Sequence, residues 1–314
     1  MIYVTLVALL EMMKIKMKKK IITITKLLFF VVILAIVVHS IIGIAHDVNG
    51  QQLKQGLKLL NAKSFIMLTI IGFISLLPML IYDFVLVKIL KIHKTVTSVA
   101  SIGLFVNTLN NLLGFSGLIG IGLRYVFYKK DVKSKNDIKY GLTKLAIFLM
   151  SGLSISSWLA LIILIQFHQY NLIWMVSLII AGCYTPIVLT YTKLSHNQNM
   201  QLPNQISSIL MLGSFLEWIG CSITFISIGY ALNLIHNPLY VFAIFIVANV
   251  LGIISMIPGG LGMFESIIIS GLATNNVSLI LIWLLLYRLF YYLIPIAISS
   301  LIIVIHQLIN RKKV

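Results

Sequence analysis

Charged residues are scarce in this chain, and acidic residues are the scarcest. Only 10% of its 314 residues are charged, with 7 Asp and Glu against 24 Lys and Arg, whereas soluble domains carry roughly 25%. The mean hydropathy is +1.06, and a soluble core of this length could not hide so much apolar surface. The composition therefore excludes an ordinary soluble domain and predicts an all-α, polytopic integral membrane protein.

Patterns for metal, nucleotide and nucleic-acid binding are also lacking. Cys183 and Cys221 lie in apolar runs without metal-ligand spacing, and the 7 histidines are scattered singly. There is no G-x-x-x-x-G-K-[ST] run. The positive charge comes without an RNA- or DNA-binding motif, so we assign it to cytoplasmic loops that touch anionic lipid. We expect no metal, no cofactor, no directly bound nucleic acid and no catalytic residues in this chain.

Long apolar runs predict eight hydrophobic segments. Six are predicted to cross the membrane fully, at 21–45, 65–90, 141–166, 171–192, 207–234 and 277–305. Two more, 95–128 and 237–274, are apolar but interrupted, the first by Asn and Gly and the second by Pro258-Gly259-Gly260. We predict one transmembrane domain over 21–308 between basic cytoplasmic ends at 1–20 and 309–314. Segment 51–63 is amphipathic and is expected on the membrane surface, and Met1 and Met17 are both candidate starts.

The distribution of lysines sets the predicted orientation. If 95–128 crossed fully, the most basic loop, which contains Lys129 and Lys130, would lie outside. We therefore predict a re-entrant hairpin that enters from the cytoplasm and turns near residues 110–117, and a second hairpin, 237–274, that enters from outside. Opposed broken helices are typical of transporters built from inverted repeats; two ordinary spans kinked by Gly and Pro are the alternative. Both termini are then cytoplasmic, in a multi-pass protein of a bacterial cytoplasmic membrane.

Charges inside apolar segments are the first candidates for function. A charge at the bilayer centre costs about 2.5 to 3.5 kcal/mol, so such residues usually face a partner or an aqueous cavity. Structural roles are the alternatives: Arg124 could snorkel to the headgroups, Asp83 could reach the interface, and Glu217 could pair with Arg288. The five charges concerned are Asp83, Arg124, Glu217, Glu265 and Arg288.

A run of asparagines and glycines, FVNTLNNLLGFSGLIGIGLR at 105–124, is the second candidate. Its asparagines share a helical face at i, i+3 and i+4, and its glycines permit close approach or a turn whose amides could bind an anion. Helix packing is the alternative. We expect this run to meet the Pro-Gly-Gly break in one headgroup site near the bilayer centre. The candidate residues are Asp83, Asn107, Asn110, Asn111, Gly114, Gly117, Arg124, Glu217, Pro258, Gly259, Gly260, Glu265 and Arg288.

Three of these runs also carry a family resemblance. VNTLNNLLGFSGLIGIGLRYVFYKK, SMIPGGLGMFES and LLPMLIYDFVLVKIL resemble the membrane domain of the lysylphosphatidylglycerol synthase/flippase family, the multiple peptide resistance factors. The resemblance runs from about Met17 to the end. It implies a lipid flippase that moves aminoacylated (lysyl) phosphatidylglycerol to the outer leaflet and so contributes to resistance to cationic antimicrobial peptides.

The same resemblance implies partners and leaves alternatives. Anionic phospholipid and aminoacyl-phosphatidylglycerol are the expected ligands, with arginine for phosphate and carboxylate for amine. Family members add a soluble domain that transfers lysine from tRNA, and this chain stops at Val314, so a separate synthase domain or protein is an expected partner. The alternatives are a phosphatidylglycerol lysyltransferase and a proton-coupled small-solute transporter. The sequence leaves open the lipid species, the energy source and a homo-oligomeric state.

Overall fold

A computed structural model describes residues 60–113, 117–132, 134–194, 203–257, 260, 262–272 and 277–311, and every regular element in these ranges is a helix. The predicted span 21–45, the basic N-terminus, most of the surface segment 51–63, Gly114, Pro258 and Gly259 lie outside the described residues. The first elements are α1 (Ala62–Ile74), a 3₁₀ turn (Leu77–Met79), α2 (Leu80–Ile89), α3 (Val96–Leu113), α4 (Leu118–Tyr128), α5 (Lys135–Leu149) and α6 (Ser151–Gln166). They are followed by α7 (Leu172–Gly182), α8 (Tyr184–Leu194), α9 (Asn204–Ala231), α10 (Pro238–Ile254), α11 (Met263–Leu272), α12 (Val277–Arg288), a π turn (Leu289–Leu293) and α13 (Ile294–Arg311).

Within the described ranges, six helical stretches are long and apolar enough to cross a membrane, which confirms the all-α polytopic membrane fold. Five of them coincide with predicted spans: Ala62–Ile89, Asn136–Gln166, Leu172–Thr192, Asn204–Ala231 and Val277–His306. The sixth, Val96–Leu113, is the first limb of the hairpin predicted over 95–128. The second limb, α4, has 11 residues and is only about 16 Å long, which is too short for a crossing.

Asparagine caps fix the starts of three apolar helices. The Asn61 side chain accepts a hydrogen bond from the Ser64 amide at 2.8 Å, and Asn171 caps α7 in the same way. Asn237 accepts from two amides at the start of α10, where Pro238 occupies the first helical position. These caps satisfy amides that have no partner within the helix, so each helix starts at a position that its sequence determines.

A proline causes the break between α7 and α8. Pro186 has no N–H to donate to the Gly182 carbonyl four residues earlier. That carbonyl accepts instead from Ser154 Oγ at 2.7 Å and from Trp158 Nε1 at 3.0 Å, both on α6. The predicted span 171–192 is therefore one membrane segment in two helical pieces, held at its break by a neighbouring helix.

Two groups of helices repeat along the chain. The first repeat, 62–166, has elements that begin at residues 62, 96, 118 and 135, and the second repeat, 204–311, has elements that begin at 204, 238, 263 and 277. Corresponding starts are 142 positions apart (62 to 204, 96 to 238, 135 to 277), except that α4 and α11 differ by 145 (118 to 263). In each repeat a long span is followed by a hairpin of unequal limbs and a second long span, and α7 and α8 lie between the repeats.

The two repeats are inverted with respect to each other. Ser75 contacts Thr224 at 2.8 Å and Tyr82 contacts Glu217 at 2.5 Å, so the first spans of the two repeats run antiparallel. The packing is exchanged as well, because α3 of the first repeat packs on α13 of the second, and α10 packs on α6. This is the geometry of the inverted repeat that the opposed hairpins suggested.

Candidate functional site

Asp83 and Arg124 form an ion pair in the interior of the first repeat. Asp83 on α2 is 0% exposed and Arg124 on α4 is 2% exposed. Arg124 donates from Nε to one carboxylate oxygen at 3.2 Å and from Nη2 to the other at 2.8 Å, the bidentate geometry in which arginine binds carboxylates most strongly. This pairing contradicts the alternative of an Arg124 side chain that snorkels to the headgroups, whereas the interfacial position considered for Asp83 stays an alternative.

An asparagine and a tyrosine complete this polar network. Asn107 accepts from Arg124 Nη2 at 2.6 Å and donates to the Met79 carbonyl at 3.1 Å. Tyr128 donates its hydroxyl to Asp83 at 3.2 Å. Because both carboxylate oxygens of Asp83 and two guanidinium nitrogens of Arg124 have hydrogen-bond partners, the network can hold α2, α3 and α4 together in an apolar setting.

The glycine run supplies the predicted turn and also makes room for the network. Gly117 has φ +86°, a left-handed conformation that favours glycine, and α4 begins at the next residue. Asn110 accepts from the Gly120 amide at 2.9 Å, which ties the limbs of the hairpin together. On α3 itself, a Cβ at Gly103 would lie 3.0 Å from an oxygen of Asp83, so glycine is what lets this helix approach the ion pair.

Glu217 has no cationic partner among the described side chains, unlike Asp83 and Glu265. It accepts a 2.5 Å hydrogen bond from the Tyr82 hydroxyl, and the guanidinium carbon of Arg124 lies 5.8 Å from the centre of the Tyr82 ring. Beside Glu217 is a polar cavity of about 40 Å³, room for a few water molecules. It is lined by Met79, Tyr82, Asn107, Asn110, Gly117, Arg124, Leu149, Met150, Glu217 and Trp218.

A second ion pair joins Glu265 and Arg288 in the second repeat. One carboxylate oxygen of Glu265 accepts from Arg288, and the other accepts from the Gly262 amide at 2.6 Å. Glu265 is 7% exposed and Arg288 is 9% exposed. The pair fastens the start of α11 to the end of α12, so the alternative of a Glu217–Arg288 salt bridge is wrong.

The expected convergence of the two hairpins on one cavity stays a prediction, because Pro258 and Gly259 of the Pro-Gly-Gly break lie outside the described residues. The cavity beside Glu217 has walls from the first hairpin and α9, and neither Gly260 nor Arg288 lines it. Gly260 is instead packed against Gly252, where an added Cβ would lie 3.2 Å from the Gly252 Cα. One hydrogen bond connects the first hairpin with the region of Arg288: Asn111 donates to the Tyr291 hydroxyl at 3.4 Å, and Tyr291 lies three residues after Arg288.

Two tyrosines of the network were not among the predicted residues. Tyr82 precedes Asp83 directly, and Tyr128 lies one helical turn after Arg124, at the i+4 position. That spacing was a usable signal for Tyr128. Nothing in the sequence placed Tyr82 beside Glu217, because that contact crosses 135 positions. In the part of the chain that is described, no group of three or more His, Cys, Asp or Glu side chains could hold a metal ion.

Comparison with known proteins gives relatives of this chain, among them two named phosphatidylglycerol lysyltransferase. The chain is 27% identical over 297 residues to the phosphatidylglycerol lysyltransferase of Staphylococcus aureus strain MRSA252, which covers 91% of this chain. It is also 27% identical over 294 residues to the phosphatidylglycerol lysyltransferase of Staphylococcus haemolyticus strain JCSC1435. The chain spans about a third, 34%, of the length of these relatives. No family model matches the chain. The family resemblance seen in the sequence is confirmed.

Proposed function

We propose that this chain translocates aminoacylated phosphatidylglycerol across a bacterial cytoplasmic membrane, with both termini in the cytoplasm. The observation that carries the proposal is Glu217, a carboxylate that has no arginine partner among the described residues and lies beside a polar cavity in a largely apolar helix bundle. The similarity to phosphatidylglycerol lysyltransferases supports a lipid that bears an amino acid. Moving such a lipid outward would make the cell surface less negative and so protect it from cationic antimicrobial peptides.

The three carboxylates have different roles in this proposal. Asp83 and Glu265 are each neutralised by an arginine, so their role in the proposal is to hold the helices. Glu217 is then the carboxylate that receives the ammonium group of the lipid, with the rings of Tyr82 and Trp218 at the same cavity. The lipid phosphate would have to compete with a carboxylate for Arg124, or accept from amides of the Asn110 turn.

The size of the cavity implies that translocation needs motion. A volume of about 40 Å³ holds a few water molecules and excludes a lysyl-phosphoglycerol headgroup. The helices around Glu217 must therefore separate to admit the headgroup, while the acyl chains stay in the surrounding lipid. Motions of this kind take microseconds to milliseconds.

The test is to measure lysyl-phosphatidylglycerol in the outer leaflet of cells that lack their own flippase and co-express a synthase, using a membrane-impermeant amine label. Glu217→Gln should lower the rate at which the lipid becomes labelled by about 10- to 100-fold, because a charge-assisted hydrogen bond contributes roughly 1.5 to 3 kcal/mol. Leu216→Ala is the matched control, since Leu216 is the preceding residue and is 39% exposed. The proposal fails if wild type and Glu217→Gln label alike.

A second candidate is the lysyltransferase activity for which the relatives are named. Purified chain, lysyl-tRNA and phosphatidylglycerol provide the test, and formation of lysyl-phosphatidylglycerol without an added synthase would establish it. A third candidate is a proton-coupled small-solute transporter that uses Glu217. It is favoured if Glu217→Gln abolishes acid-driven solute uptake and leaves the lipid distribution unchanged.

A further inference from the structure

Two contacts between the first spans of the repeats are related by the repeat itself. Tyr82 contacts Glu217, and Ser75 contacts Thr224. The spacing of 142 that relates the helix starts also relates Ser75 to Glu217 (75 to 217) and Tyr82 to Thr224 (82 to 224). The two contacts are seven residues apart on each helix, which is about 10 Å along the seam between α1–α2 and α9. The seam therefore has two equivalent ends.

The two ends are in different states. The Tyr82–Glu217 end borders the polar cavity. At the other end, Ser75 is 6% exposed and Thr224 is 0% exposed, and the helices are so close that a Cβ on Gly220 would lie 2.8 Å from the Ser75 carbonyl oxygen. One end of the seam is open to a cavity, and its counterpart is closed.

The two hairpins also contain residues that the repeat relates to each other, and these residues also differ in their contacts. The turns before α4 and α11 each carry a left-handed glycine, Gly117 with φ +86° and Gly262 with φ +83°. Asn107 has Asn249 as its counterpart at 142 positions (107 to 249). Asn107 bonds to neighbouring elements, whereas Asn249 bonds to the Phe245 carbonyl of its own helix at 2.7 Å. Among the described residues the Asn249 amide bonds only within its own helix, so it can be released without breaking the packing between these helices.

We propose that Ser75, Thr224 and Asn249 form a second headgroup site, which is closed here and opens when the Tyr82–Glu217 end closes. In inverted-repeat transporters one half moves against the other, so that access alternates between the two sides of the membrane. Because the repeat relates the closed end to the end beside the cavity, the proposal makes the closed end the open end of the other state. The proposal rests on the proposed function. With the predicted orientation, Glu217 receives the headgroup from the cytoplasmic leaflet. The hydroxyls and amide then pass it to the outer leaflet by hydrogen bonds without an opposite charge.

The test is a disulfide across the closed end. Ser75→Cys and Thr224→Cys are combined after Cys183→Ala and Cys221→Ala, because the two hydroxyl oxygens are 2.8 Å apart and the side chains are within reach of disulfide geometry. Oxidation should reduce lysyl-phosphatidylglycerol translocation to background, and reduction should restore it. Each single-cysteine variant is compared with itself, and its rate, whatever its basal value, should be the same before and after oxidation. Full translocation with the disulfide formed overturns the second site.

A separate measurement keeps this result distinct from failure of the proposed function. If wild type translocates no lysyl-phosphatidylglycerol, the proposed function is wrong, and the second site is judged by labelling Thr224→Cys with a membrane-impermeant thiol reagent. Thr224 is 0% exposed in this state, so reaction requires the other state. The second site is supported if the reagent reacts only when it is added outside the cell. It is overturned if the reagent does not react, or if it reacts only from the cytoplasmic face.

Discussion

The two repeats have one architecture and two kinds of interior. In the first repeat, α2, α3 and α4 meet around the buried Asp83–Arg124 ion pair. The residue 142 positions after Asp83 is Phe225 (83 to 225), which stacks on Trp283 with ring centres 4.5 Å apart and contacts Phe264 and Tyr287 edge-on. Aromatic rings pack an apolar joint at no charge-desolvation cost. The cavity lies beside the polar interior of the first repeat, and Glu217 of α9, which belongs to the second repeat, lines it together with Arg124. This is where we propose that the headgroup binds.

The two ion pairs sharpen this comparison. Asp83–Arg124 is almost fully enclosed and lies at the meeting point of three helices. Glu265–Arg288 is about a tenth exposed and joins the start of one helix to the end of the next. Removing one partner of a buried pair strands the other charge, so the more enclosed pair should be the more sensitive.

The largest predicted effect is therefore on Arg124. Arg124→Ala should destabilise the protein by about 3 to 5 kcal/mol, since Asp83 would stay buried with only neutral donors. Arg288→Ala should cost less, about 1 to 3 kcal/mol, because Glu265 keeps the Gly262 amide. Both stability losses are measured by thermal unfolding in detergent micelles, with size-exclusion chromatography as the readout. As a control, the double variant Asp83→Ala and Arg124→Ala should be more stable than Arg124→Ala alone. Equal losses of stability for Arg124→Ala and Arg288→Ala would contradict the ranking of the two ion pairs.

The next effect compares the two left-handed glycines. An alanine in this conformation costs roughly 1 to 2 kcal/mol, and that cost should apply to both Gly117→Ala and Gly262→Ala. At Gly117 the added Cβ would also lie 2.9 Å from Leu149 Cδ1, whereas at Gly262 it meets nothing within 4 Å. The melting temperature should fall for both variants and further for Gly117→Ala. Gly262→Asn should recover part of the loss, because asparagine tolerates this conformation, and a full-sized loss there would argue against backbone strain as the cause.

Hydropathy and charge predicted most of the fold. Segment 207–234 was predicted and α9 spans Asn204–Ala231; segment 171–192 was predicted and the apolar stretch is Leu172–Thr192. These boundaries follow from local properties, namely a run of apolar residues and a cap or a proline at its end. The glycine run likewise predicted the turn after α3, because a left-handed residue such as Gly117 marks a helix break.

The sequence singled out the residues of the two buried ion pairs but did not give their pairings. The only pairing it offered was Glu217 with Arg288. A sequence does not give the rotation of one helix relative to another, and rotation decides that Arg288 meets Glu265 and that Tyr82 meets Glu217. A signal for the repeat was present, since VNTL at 106–109 and ANVL at 248–251 share an asparagine and a leucine 142 positions apart.

The smallest effect separates two glycines of one short helix, and it tests whether the network of the first repeat needs its close packing. Gly122 has nothing within 4 Å of an added Cβ, whereas a Cβ on Gly120 would lie 3.1 Å from both Arg124 Nη1 and Asn110 Oδ1. Gly122→Ala should therefore stabilise the protein by up to about 1 kcal/mol, because alanine is the better helix former.

Gly120→Ala gains the same helix propensity, but it must displace the arginine that holds Asp83. Its melting temperature should thus be below that of Gly122→Ala, and its outer-leaflet labelling should be reduced. If the two variants behave alike, the side chains around Asp83 can shift by a few tenths of an ångström at no cost, and the first repeat is no more rigidly packed than the aromatic interior of the second.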